Sequence, residues 1–100
     1  MSDQFDVEWP EDIRGVVLRE IYKERIRQEE LKQAGKFIFT CADKAFHPHY
    51  KLAVLAEEFG KVARHVADYV GGKSFDRNEL RTELIQVAAV AAAWAESMTK

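Results

Sequence analysis

Apolar residues recur along this chain at steps of three and four and nowhere alternate convincingly, which predicts helices and no strand. From about Pro10 to Ala34, Ile13, Val17, Ile21 and Leu31 mark one stripe. Pro10 suits a first helical turn, Glu11 and Asp12 sit at the favourable end of the helix dipole, and Gly35 offers a stop. Glu20, Lys23, Glu24, Arg25, Arg27, Gln28, Glu29 and Glu30 read as a solvated face laced with ion pairs. A second helix is predicted over about Pro48 to Val70. Its stripe of Leu52, Leu55, Phe59, Val62, Val66 and Tyr69 reads as buried, and Gly71-Gly72 ends it. Asp76 followed by Glu79 forms a capping pair for a third helix running to about Met98.

The third helix changes the picture. From Leu84 to Ala95 every residue except Gln86 is apolar, and six of these twelve are alanine. A helix apolar on nearly all sides needs cover that two other helices cannot easily supply. The expectation is an all-α bundle of three main helices, a single domain over residues 1–100, completed by assembly into a homodimer or homotetramer. Trp94 is a candidate for the subunit interface, and Trp9 for packing.

The connector between the first two helices holds Phe37, Phe39 and Phe46, which either pack under the bundle or line a pocket for a flat ligand. Packing is the expected role. Thr40 with Asp43 is placed to cap a short helical turn there.

Composition narrows the function classes. Fifteen basic against seventeen acidic residues give a net charge of −2, without the basic excess that nucleic-acid binding normally shows. The run from Val87 to Ala95 is far short of the roughly 20 apolar residues that cross a bilayer. Met1 to Glu8 is acidic and does not resemble a signal peptide, and Cys41 stands alone. A cytoplasmic protein is expected, with no membrane and no nucleic-acid partner. His47-Pro48-His49 lacks the further ligands that a zinc site needs, and His65 reads as a surface residue.

Candidate chemistry lies on the last two helices. Glu57-Glu58-Phe59-Gly60-Lys61 is followed, beyond the Gly-Gly turn, by Glu83-Leu84-Ile85-Gln86. Residues three apart share a helix face, so Glu58 projects with Lys61, and Glu83 with Gln86. Antiparallel packing lets these faces meet, and facing carboxylates suit a hard cation such as Mg²⁺.

Over Lys51 to Glu96 the chain resembles the MazG-like all-α nucleotide pyrophosphohydrolases, whose motifs are Glu-Glu-x-x-Glu and, on the next helix, Glu-x-x-Asp. Glu57, Glu58 and Glu83 stand at family positions, whereas Lys61 takes the place of the third glutamate and Gln86 that of the aspartate. The resemblance implies a Mg²⁺-dependent (alternatively Mn²⁺-dependent) house-cleaning hydrolase that cleaves nucleoside triphosphates to the monophosphate and pyrophosphate. Metal ligands would be Glu57, Glu58, Glu83 and Gln86; Lys61, Arg64 and Arg81 would meet substrate phosphates, with Lys73 and Arg77 as further cations.

Glu58, Glu83, Lys61 and neutral Gln86 together carry −1, where four carboxylates would carry −4. A lysine among metal ligands opposes a cation, since like charges at 4 Å repel by about 4 kcal/mol at an effective dielectric of about 20. Three roles for Lys61 stand open. It snorkels away, it touches substrate phosphates, or it neutralises glutamates that no longer hold metal. The last makes the chain an inactive nucleotide-binding or protein-interaction module of the same fold.

Overall fold

The computed structural model describes residues 11–100. Three helices follow one another, α1 (Ile13–Gln33), α2 (Pro48–Val70) and α3 (Arg77–Ser97), and the described residues contain no strand. The predicted boundaries of α2 and α3 hold within a residue or so. α1 starts three residues after Pro10, which lies outside the described residues, as does Trp9.

Local chemistry sets each end. Asp12 caps α1 by accepting from the Gly15 N–H at 2.8 Å, and Asp76 caps α3 by accepting from the Glu79 N–H at 3.0 Å. At the N-terminus of α2, His47 Nδ1 accepts from the His49 N–H, with Pro48 in the first turn. Beyond α1 and α2 the chain reverses through Gly35 (φ 78°) and Gly72 (φ 98°). The Lys36 and Lys73 amides then reach back to the carbonyls of Leu31 and Asp68, a glycine C-cap at each end. Thr40 and Asp43 close a tight turn and not a helix: Asp43 accepts from the Thr40 N–H, and the Thr40 carbonyl accepts from the Asp43 N–H.

α3 lies in the middle. It packs against α1 on one side and α2 on the other, while the backbones of α1 and α2 nowhere come close enough to pack directly. The arrangement is open, with a radius of gyration of 15.2 Å, above the roughly 13 Å of a compact 100-residue domain. The buried apolar core is thin. Ala89, Val90 and Ala93 of α3 are buried with Cys41 of the connector, and Phe39, Val54, Leu55 and Trp94 pack around this centre. Trp94 is half-buried against this centre. The connector aromatics pack together, Phe39 stacking on Phe46 at 4.2 Å with Tyr50 edge-on to both.

The α2 stripe departs from expectation. Leu55 and Val62 are half-buried, but Leu52, Phe59, Val66 and Tyr69 are exposed, Phe59 by 60%. α2 instead turns Lys51, Val54, Glu58, Val62 and His65 inward. Periodicity reported that the apolar face needs cover, but not what covers it. The charged face of α1 differs too. Arg25 and Gln28 are buried, and Arg25 donates to both oxygens of Glu96 at the far end of α3, and to Glu29 and Gln28. No helix among the described residues is long and apolar enough to cross a membrane.

Candidate functional site

The face that α2 turns to α3 is mixed, Lys51, Glu58 and His65 alternating with Val54, Leu55 and Val62, and ionisable groups border two cavities that meet at Lys61. The first, about 370 Å³, opens between α1, the connector, α2 and α3. α2 contributes Glu57, Glu58 and Lys61, and α3 contributes Gln86. Phe37 and Phe39 form an aromatic wall, with Cys41 beside them. α1 adds Glu24 and Arg27, which the sequence placed on a solvated surface. The volume is within the range of small-molecule sites.

Electrostatics inside this cleft are governed by two cations. Lys61 Nζ donates to Glu58 Oε2 at 2.9 Å, and this bond, with the charges of Glu58, Glu57 and Glu83, holds its pKa above the ordinary lysine value. Arg27 is gripped at both ends of its fork by Glu24 at 2.8 Å, which raises it further and fixes its orientation. Burial pushes the Cys41 thiol up, opposed by the nearby charges of Lys51 and Arg25, so it is no ready nucleophile.

The second cavity, about 500 Å³, lies on the other side of Lys61. Arg64, Lys73 and Asp68 border it, and so do His65 and Glu79. Glu83 borders this cavity and not the first. His65 is no surface residue: its side chain is 11% exposed, set edge-on to Phe75, with Nδ1 3.2 Å from Glu83 Oε1.

Of the residues read from sequence, the first cleft thus gathers Glu57, Glu58, Lys61 and Gln86, and the second holds Arg64 and Glu83, with Lys61 between. Arg81 borders neither. Its guanidinium grips Glu20 of α1 at 2.6 and 2.8 Å, an exposed tie between α1 and α3. Arg27, Glu24, His65 and Glu79 were missed as site residues. The signal for Arg27 is faint, since it is one of many charged residues on α1, with Glu24, Arg25, Glu29 and Glu30 close by. For His65 it was available, because position 65 lies one helical turn beyond Lys61 on the same face.

Comparison with protein-family models, with curated proteins and with solved structures finds no match.

Proposed function

We infer that the chain binds nucleoside triphosphates in the first cleft and hydrolyses them, with Mg²⁺, to the monophosphate and pyrophosphate. The carrying observation is that one cleft combines the aromatic wall of Phe37 and Phe39, the cations Arg27 and Lys61, and the oxygen donors Glu57, Glu58 and Gln86. An aromatic wall suits a flat base. Fixed cations suit phosphates. Carboxylate and amide oxygens fit a hard cation in kind, and Glu57, Glu58 and Gln86 would hold it. When bound, Mg²⁺ supplies charge stabilisation of the phosphoryl oxygens and activation of water.

The protein's own part begins with Lys61. A triphosphate competes with Glu58 for its ammonium, and the freed Glu58 carboxylate becomes available as an oxygen ligand. Arg27, oriented by Glu24, faces the same phosphates. The excess of carboxylates over cations at the cleft makes the triphosphate dependent on a divalent ion to enter.

A second reading draws on the Lys61–Glu58 bond itself. If it persists with nucleotide bound, the cleft binds without turnover.

We also infer that a second copy of the chain covers α2. Leu52, Ala56, Phe59, Ala63, Val66 and Val70 repeat at alternating steps of four and three, all exposed. That spacing is the seam of a helix pair, free of charge and therefore able to meet itself. The thin core of the single chain gives the same direction.

Nucleotide-induced thermal stabilisation tests the binding claim apart from turnover. At tenfold excess over Kd, linkage gives about 1.4 kcal/mol, or several degrees in a domain this size. Stabilisation should shrink in Phe37→Ala and Arg27→Gln. No shift with any nucleoside triphosphate at millimolar concentration would remove the cleft as a nucleotide site.

A further inference from the structure

We propose that His65, Glu79 and Glu83 form a binding site for one first-row divalent transition ion, separate from the first cleft. One donor atom of each residue lies within 4.8 Å of the others, and among the described residues no other set of three His, Cys, Asp or Glu side chains meets that spacing. Glu79 and Glu83 stand four apart on α3 and share a face, while His65 comes from α2 across the interface. The set is mixed, one imidazole with two carboxylates, and so is not a solvated acidic cluster.

The independent pointer is Glu83 Oε1. This oxygen is sealed from solvent and has no hydrogen-bond partner. His65 Nδ1 is 3.2 Å away but is not aligned to form a hydrogen bond with it. A buried carboxylate oxygen without a partner is costly, and native proteins rarely leave one. The distance has a simple meaning: two donors about 2.1 Å from a shared tetrahedral ion stand about 3.4 Å apart. The 3.2 Å separation of His65 and Glu83 fits two ligands of one ion, as it also fits the ion pair the two form when the imidazole is protonated. Phe75 packs edge-on against the imidazole and holds its plane. Glu79, the exposed member, closes the set from the solvent side and leaves positions for water in the second cavity.

The nitrogen donor sets the preference. Imidazole with carboxylates favours Zn²⁺ over Mn²⁺, and both over Mg²⁺, in line with the stability order of first-row ions. The site does not rest on nucleotide hydrolysis and would stand in a chain without turnover.

The test is titration of the chelator-washed full chain with Co²⁺ alone, followed by its visible d–d absorption, then displacement by Zn²⁺. One tight equivalent per chain is expected, displaced by Zn²⁺ and not by equimolar Mg²⁺. Glu79→Gln, at an exposed position that does not threaten the fold, and His65→Ala should each weaken binding about tenfold or more. Glu57→Gln, in the first cleft, should leave it within about twofold. Absence of saturable binding overturns the site. So does binding that survives both Glu79→Gln and His65→Ala, as it would at His47 and His49, or binding lost in Glu57→Gln.

Discussion

Lys61 Nζ and Glu58 Oε2, three residues apart on α2, are joined by a 2.9 Å hydrogen bond at the boundary between the two cavities. A cation built into the chain thus stands among the carboxylates of the proposed Mg²⁺ site. The pair is on a half-exposed lysine, which keeps the bond exchangeable.

Replacing the lysine follows directly. Lys61→Glu removes the resident ammonium and restores a third carboxylate, so Mg²⁺ affinity should rise by about tenfold, one pKa unit's worth of interaction. Calorimetric titration with Mg²⁺ checks this. Unchanged or weaker binding would place Lys61 outside the metal's reach and make phosphate contact its role.

Glu58→Gln should have the opposite effect, lowering Mg²⁺ affinity and pyrophosphate release together. A variant with wild-type rates would remove Glu58 from the site.

The exposed seam of α2 makes Phe59 the residue to change. Phe59→Lys should shift the protein from oligomer to monomer in sedimentation equilibrium, because two lysines would then oppose each other in an apolar contact. A wild type that is monomeric at micromolar concentration contradicts the second-copy reading.

Asp43 carries a pH-dependent contribution to stability. Its hydrogen bond from Lys32, aided by the Thr40 N–H, holds its carboxyl below the ordinary value of 3.8. A lowered folded-state pKa gives stability that is complete above the unfolded value and is lost as pH falls through the folded one. Asp43→Asn should therefore cost about 1 kcal/mol at pH 7. Urea unfolding should show that gap constant down to about pH 5 and closing below pH 4. A gap that does not narrow as pH falls below 4 contradicts the assignment.

Much of the fold was legible because its signals are local. Pro48, Gly71 and Gly72 bracket α2, and Asp76 with Glu79 opens α3, all through groups within one turn of the boundary. What sequence could not give was the direction each face takes. The Leu52–Phe59–Val66 stripe reads as buried, yet points outward, since α3 takes the mixed face of Lys51, Val54, Leu55, Glu58, Val62 and His65 instead. Arg25 reads as one more surface charge, because its partner Glu96 lies 71 residues away. The same limit applies to the site. Helical spacing pairs Glu58 with Lys61 and Glu83 with Gln86, and the family resemblance adds Glu57, whereas His65 and Glu83 meet only through the packing of α2 on α3.

The central claim, nucleotide cleavage at the first cleft, is tested most directly by quantifying products from a panel of ribo- and deoxyribonucleoside triphosphates with Mg²⁺, Mn²⁺ or chelator. Monophosphate and pyrophosphate are expected in equal amounts from at least one nucleotide, their release abolished by chelator. Diphosphate with free phosphate, or no turnover of any nucleotide by folded protein, would contradict that claim.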